Sequence, residues 1–240
     1  MKVLSIGNSF SQDAHRWLHS LAAANDIDMT TFNLYIGGCS LETHWQNFTE
    51  NNPFYDLEPN GGECARKISI QDALSMDRWD AITLQQVSHQ SGLKESYEPW
   101  LSCLVREVRR ACPDAKLYFH QTWAYDTDSD HDGFANYNRD QEKMYACIID
   151  ATTAAARSVG AEIIPVGPVI QALRKTPEFD RAKGGLSLCR DGFHLSLDYG
   201  RYAAAAAWIK TLTGKTVKAQ PFRDFDVKLI EKIAEVVNGI

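Results

Sequence analysis

Short apolar runs alternate with longer amphipathic segments along most of this chain. This alternation is typical of a parallel sheet with helices on both faces. Five runs are strand-like, and the segments between them are long enough for crossover helices. They are Lys2 to Gly7, Met29 to Ile36, Asp80 to Gln86, Lys116 to Trp123 and Ala161 to Val166. The pattern predicts an α/β chain built on five mainly parallel strands.

Apolar residues at helical spacing predict the positions of the helices. One stripe runs from Tyr97 to Val108, and another runs from Met144 to Ala155 before Gly160 ends the helix. A run from Leu197 to Leu212 and a stripe from Phe225 to Val237 predict two further helices near the C-terminus. The predicted helices thus lie between the strand-like runs and after the last of them.

The segment from Asn47 to Lys67 interrupts the alternation. It is rich in Asn, Pro, Glu and Gly, so we expect an irregular surface insertion of the kind that is usually functional or mobile. No internal repeat or interdomain linker divides the rest of the sequence. We therefore expect one domain over residues 1–240, with an insertion at about 47–67.

The composition narrows the class of partner. Apolar residues make up 44% of the chain, which is enough for one large core without a disulfide or a structural metal. The net charge of −6, with scattered basic residues, argues against nucleic acid or an anionic membrane as a partner. Six cysteines lie singly, without a CxxC pair, and predict buried free thiols rather than a disulfide framework. We expect a small neutral or polar substrate.

The start of the chain bears on localisation. The first strand-like run begins at Lys2 with no signal-peptide pattern before it, and no run of about 18 apolar residues occurs. We therefore expect a soluble cytoplasmic protein, or a secreted or periplasmic one if a leader has been removed.

Ligands of parallel α/β sheets bind outside the carboxyl ends of the strands, so polar residues just after each strand are the candidate functional residues. Ser9 lies at the tip of the first strand, before a helix, where its hydroxyl is exposed and its N–H is near a helix N-terminus. That position suits a nucleophile whose product is an oxyanion. A plain helix-starting turn is the alternative interpretation.

Asp191 stands three residues before His194 in a polar turn near the C-terminus. This spacing lets the carboxylate orient the imidazole as a general base. Taken alone, the turn is better explained by a capping Asp and a surface His. The presence of Ser9 at a strand tip favours the catalytic interpretation, because a nucleophile needs an oriented base.

Two further strand ends offer donors for an oxyanion. Gly37 and Gly38 follow the second strand, and their small size lets the N–H of Gly38 approach a ligand, although a plain turn explains them as well. Gln86 and His89 follow the third strand, where an amide donor would complete a three-donor hole.

These segments occur in the order of the conserved blocks of the SGNH, or GDSL-like, hydrolases. The Gly7–Ser9 segment resembles the first block with Asn8 in place of the usual Asp, Gly38 resembles the glycine of the second, and the Asp191–His194 segment resembles the last. The third block departs from the pattern, since the Gln86–His89 segment stands where the family has Gly-x-Asn. The resemblance extends from residue 3 to about residue 212.

The resemblance implies a flavodoxin-like, three-layer α/β/α sandwich and ester hydrolysis without a metal or other cofactor. It implies that Ser9 is the nucleophile, with His194 and Asp191 completing the triad. It also implies an oxyanion hole formed by the N–H groups of Ser9 and Gly38 with the amide of Gln86, or with His89 as second choice. A glutamine-rich third block is similar to that of carbohydrate-active acetylesterases, so the resemblance favours a short-chain, acetyl ester on a carbohydrate.

The sequence leaves alternatives open for the lining of the substrate pocket and for the function of the protein. We assign His89, Trp45 and Trp123 to the substrate pocket, where the tryptophans could stack on a sugar ring, although packing in the core or at the rim explains each tryptophan better. A lipase or thioesterase on the same triad is one alternative function. A non-catalytic carbohydrate-binding module that retains the hydrolase fold is another, because a fold alone does not establish activity.

An acidic segment after the fourth strand resembles the opening of a calcium loop, with Asp128, Asp130 and Asp132 at alternate positions. The glutamate required at the twelfth position is replaced by Arg139. The substitution favours a solvated acidic loop over a cation site.

Overall fold

A seven-stranded sheet forms the centre of the computed structural model, which describes residues 1–240. Its strands are β1 (Lys2–Gly7), β2 (Thr30–Tyr35), β3 (Tyr55–Pro59), β4 (Arg66–Ile68), β5 (Ala81–Leu84), β6 (Lys116–His120) and β7 (Glu162–Ile164). Their order across the sheet is β4-β3-β2-β1-β5-β6-β7. The five strands β2, β1, β5, β6 and β7 are parallel, which confirms the five predicted strands.

The two remaining strands correct the prediction of an irregular insertion. β3 pairs antiparallel with β2, and β4 pairs antiparallel with β3, so most of the segment is a hairpin that widens the sheet. The side chains of β3 explain why it joins the sheet. Tyr55 and Leu57, on one face of the strand, are buried in the core, and Glu58 accepts a hydrogen bond from Asn33 of β2 (2.8 Å).

Helices cover both faces of the sheet. They are α1 (Ser9–Ala24), α2 (Leu41–Thr49), α3 (Ile70–Ser75), α4 (Trp100–Ala111), α5 (Gln141–Ser158), α6 (Val166–Leu173), α7 (Tyr199–Thr213) and α8 (Val227–Gly239). Helices α1, α6, α7 and α8 share one hydrophobic cluster, and α2, α3 and α4 share a second. Side chains of β1 alternate between these clusters, with Val3 in the first and Leu4 and Ile6 in the second. The predicted three-layer α/β/α sandwich is confirmed.

Two other features bear on the sequence analysis. None of the helices combines the length and the apolar character needed to span a bilayer. All six cysteines are free thiols, as predicted, but only Cys39 and Cys189 are buried, and Cys64 is exposed on the β3–β4 hairpin.

The carboxyl ends of the parallel strands bring the candidate functional residues to one edge of the sheet. β1 leads into Ser9, β2 into Gly37 and Gly38, and β5 into Gln85 and Gln86. Because β1 lies between β2 and β5, the Ser9 turn is flanked by the other two loops.

Candidate active site

Ser9, His194 and Asp191 form a continuous chain of hydrogen bonds. The Oγ atom of Ser9 lies 2.9 Å from Nε2 of His194, and Nδ1 of His194 lies 2.7 Å from Oδ2 of Asp191. Ser9 is the first residue of α1, so its position is fixed by the end of β1 and the start of the helix. Ser9 and His194 are partly accessible. The fold thus brings together three side chains from opposite ends of the sequence.

Asp191 holds both the backbone and the ring of His194. Its Oδ1 atom accepts hydrogen bonds from the N–H of His194 (2.7 Å) and of Phe193 (3.2 Å), while Oδ2 faces the imidazole. Burial raises the pKa of Asp191, but the hydrogen bonds from the His194 ring and these two N–H groups outweigh it and leave the pKa below its ordinary value. An ionised carboxylate only accepts, so Nδ1 carries the proton and Nε2 accepts from the Ser9 hydroxyl.

A second loop beside Ser9 carries Gly38, which has a φ of +65° and is exposed. The side chain of Asn8 joins this loop to the Ser9 turn, because its Nδ2 donates to the carbonyl of Cys39 (3.0 Å). The N–H groups of Ser9 and Gly38 donate to no backbone carbonyl. For Ser9 this follows from its place in the first helical turn, where the helix supplies no acceptor. Both N–H groups are therefore available to an oxyanion.

A chain of buried side chains orients Asn8. Its Oδ1 atom accepts from Nε2 of Gln85 (2.6 Å) as well as from the N–H of Phe10 (3.1 Å). The Oε1 atom of Gln85 in turn accepts from Nδ1 of His120 (2.7 Å). Burial, together with the nearby His15, lowers the pKa of His120 to about 3, so the ring is neutral at ordinary pH. Gln85 and His120 were not predicted from the sequence as supporting residues.

Gln86 is not available as an oxyanion donor in this geometry, which corrects the first-choice prediction. Its Oε1 atom accepts from the N–H of Leu41 (3.0 Å) and of Val87 (2.8 Å), which fixes the orientation of the amide. Its Nε2 atom then donates to the carbonyl (2.8 Å) and hydroxyl (3.1 Å) of Ser96. The side chain is buried and ties α2 to the segment after β5.

His89 lies close to His131, which was not predicted as a site residue from the sequence, and both rings are near His194. Their ring centroids are 6.0 Å apart, the His131 ring packs on Phe193 (4.8 Å), and Phe193 packs on His194 (4.2 Å). Burial lowers the pKa of both rings, and their mutual proximity lowers that of His89 further. Nδ1 of His131 accepts from the N–H of Gly133 (3.0 Å), so the neutral ring keeps Nε2–H as a donor.

The two predicted pocket tryptophans occupy different environments. Trp123 is fully buried, stacks on Phe10 at 4.1 Å and donates its indole N–H to the carbonyl of Phe193 (2.7 Å). It supports the His194 loop from the core, so the core-packing interpretation is correct for Trp123 and its assignment to the substrate pocket is wrong. Trp45 is half-buried on α2, and its aromatic neighbour is Phe48 (5.7 Å) rather than a residue of the triad.

The acidic segment is held by arginine. Both carboxylate oxygens of Asp128 accept from Arg181 at 2.7 Å, and Asp126 forms an ion pair with Arg174. The structure gathers no group of three or more His, Cys, Asp or Glu side chains that could hold a metal ion. Arg181 and Arg174 thus neutralise two carboxylates of this segment.

Solved structures of other proteins share the fold of this chain. A candidate SGNH hydrolase from Slackia heliotrinireducens matches at 21% identity and a TM-score of 0.60, covering 88% of this chain and 98% of that one. The acetylxylan esterase Axe2 from Geobacillus stearothermophilus matches at 12% identity and a TM-score of 0.56, covering 91% of this chain and 97% of that one. The chain has the α/β/α fold of the SGNH hydrolases, and the resemblance drawn from its sequence blocks is confirmed at the level of fold.

The family follows from closer matches. Residues 2–237 match the family described as a domain of unknown function, DUF4886. A DUF4886 family protein from Bacteroides uniformis has a solved structure with 40% identity and a TM-score of 0.92, covering 100% of this chain and 93% of that one. No curated protein matches the sequence. This chain belongs to the DUF4886 family.

Proposed function

We propose that this protein is a serine esterase in which Ser9 is acylated, His194 is the general base and Asp191 orients and stabilises the imidazole. The observation that carries the proposal is the hydrogen-bond chain from Ser9 Oγ through both nitrogens of His194 to Asp191, at 2.9 and 2.7 Å. A serine hydroxyl becomes an effective nucleophile when an adjacent, oriented base takes its proton.

In the proposed first step, Oγ of Ser9 attacks the ester carbonyl while Nε2 of His194 takes the hydroxyl proton. The tetrahedral oxyanion accepts hydrogen bonds from the N–H groups of Ser9 and Gly38, which no backbone carbonyl occupies. Collapse breaks the bond to the alcohol, which leaves with the proton from His194. Water, deprotonated by the same imidazole, then releases the acid and regenerates Ser9.

We infer further that the substrate is a carbohydrate ester with a short acyl group, acetyl. Two observations support this substrate class. The neutral rings of His89 and His131 lie beside Phe193 and His194, where hydrogen-bonding groups suit a polyhydroxylated alcohol. Among proteins of similar fold, Axe2 and the protein AlAXEase are described as acetylxylan esterases.

A fluorophosphonate probe tests the mechanism. Wild type should be labelled covalently at Ser9, and Ser9→Ala should not be labelled. Ser20→Ala is the matched control, because Ser20 is exposed on the same helix and its hydroxyl bonds only to the carbonyl of Trp17. Folded wild type that resists the probe would favour a binding module on the same fold.

A panel of esters tests the substrate class. We expect the highest kcat/KM with acetylated xylo-oligosaccharides and p-nitrophenyl acetate, and a steep fall for octanoyl esters and acyl thioesters. The reverse order would identify a lipase or thioesterase on the same triad and would overturn the acetyl assignment.

A further inference from the structure

Asp13 is a fully buried carboxylate on the helix that begins at Ser9. It lies four residues after Ser9, so the two side chains share one face of α1, about 6 Å apart along the helix axis. A buried carboxylate is costly unless charged or hydrogen-bonding partners surround it. Asp13 takes no part in the proposed proton transfers, so its partners show its role.

Three donors converge on Asp13, and two of them belong to the loop that carries His194. The backbone N–H of Leu195, the residue after His194, donates to Oδ2 at 2.8 Å. The guanidinium of Arg190 donates to both carboxylate oxygens, at 3.0 and 3.1 Å. The third donor is Arg201 of α7, whose Nε lies 2.8 Å from Oδ1.

Further hydrogen bonds join the two ends of the Arg190–Leu195 loop to each other. The N–H of Arg190 donates to the carbonyl of His194 (2.9 Å), and its guanidinium also donates to the carbonyl of Leu195. Asp191 and His194 therefore lie on a short, internally bonded loop whose two ends are both tied to Asp13. Since Asp13 is on the helix of Ser9, the distance from Ser9 to His194 is fixed through one rigid element.

We infer that Asp13 is a positioning residue that clamps the Arg190–Leu195 loop to α1 and so sets the Ser9–His194 distance. The inference rests on the proposed function. Positioning matters because a misplacement of about 1 Å in a reacting pair can cost about a hundredfold in rate. Asp13 acts through the loop as a whole, so loosening it leaves the Asp191–His194 pair intact.

The first test is Asp13→Asn, which keeps the volume and removes the charge. We expect kcat on p-nitrophenyl acetate to fall by about ten- to a hundredfold. KM and the position of the acid limb of the pH profile should stay unchanged, because His194 keeps its partner Asp191. Folded Asp13→Asn with wild-type kcat would overturn the inference, and so would a fall in kcat accompanied by a shifted acid limb.

A matched pair of variants keeps the test valid if Asp13→Asn does not fold. Arg190→Lys and Arg201→Lys both keep a cation near Asp13, but only Arg190 also holds the carbonyl of Leu195. We expect Arg190→Lys to lose at least about tenfold in kcat and Arg201→Lys less than about threefold. Equal losses would contradict the clamp.

Amide hydrogen exchange tests the positioning role of Asp13 independently of the proposed esterase function. Wild type that neither hydrolyses esters nor reacts with fluorophosphonate would overturn the function. In that case, faster exchange of the Leu195 amide in Arg190→Lys than in Arg201→Lys would still support the clamp, and equal exchange would overturn it.

Discussion

Two loops at the same edge of the sheet carry similar side chains and use them differently. The Arg190–Leu195 loop offers a carboxylate and an imidazole that bond to each other and to the accessible Ser9. The β5 loop, residues 85–92, also offers a histidine and two amides, but Gln85 and Gln86 are buried and hydrogen-bonded to Asn8, His120, Ser96 and backbone groups. A polar residue at a strand end takes part in chemistry only when the fold leaves its donor or acceptor free.

The sharpest test of this difference exchanges one histidine in each loop for alanine. His194→Ala removes the proposed general base and should lower kcat by about a millionfold, as loss of a triad member does in other serine hydrolases. His89→Ala should cost no more than about tenfold, the value of one hydrogen bond to substrate. Steady-state kinetics on p-nitrophenyl acetate measure both. A thousandfold fall in kcat for His89→Ala would instead indicate that the His89 ring is part of the oxyanion hole.

Replacing the carboxylate of the first loop should have the next largest effect. Asp191→Asn should lower kcat by about ten thousandfold, because the imidazole loses its orientation and its counter-charge. The pKa of Asp191 lies below its ordinary value, so this carboxylate stays ionised further into the acid range than a free aspartate does. The profile of wild-type kcat against pH should therefore have an acid limb that reflects an ionised Asp191. In Asp191→Asn the limb should move to lower pH, because the negative charge beside the proposed base is lost. A limb that moves to higher pH would contradict this role.

The smallest effects distinguish the two neighbouring glutamines of the β5 loop. Gln85→Ala should lower kcat by about tenfold, because Asn8 loses the donor that orients it beside the Cys39 carbonyl. Gln86→Ala should change kcat by less than that and lower the free energy of unfolding by about 1–3 kcal/mol, since the N–H groups of Leu41 and Val87 lose their acceptor. Kinetics and urea unfolding separate the two. A fall in kcat of a hundredfold or more in Gln86→Ala would instead show that, in wild type, the Gln86 amide leaves Ser96 and binds the oxyanion.

Much of the fold and the central contacts of the site carry local signals in the sequence. The apolar runs predict all five parallel strands, because buried strands need near-continuous apolar residues. Ser9 is predictable because it lies two residues after the end of β1. Asp191 and His194 are predictable because three residues is the spacing at which a turn brings their side chains together.

The remaining features depend on distant contacts that local patterns do not encode. Gln86 is oriented by Leu41 and Ser96, which lie 45 and 10 residues away in sequence. The hairpin was not predicted because the alternation of buried side chains at Tyr55 and Leu57 lies in a strand of only five residues, flanked by turn-forming ones. Asp13 did carry a signal, since an acidic residue next to Ala14 in the apolar stripe of α1 needs buried partners.

The free edges of the sheet are both short strands. β4 and β7 have three residues each, and β4 presents exposed Arg66 and Lys67 outward. Such edges give an incoming peptide few main-chain groups to pair with and a charged surface to approach, a common natural defence against aggregation. The hairpin thus shields the six-residue strand β2, which without it would form a longer template for intermolecular β-pairing.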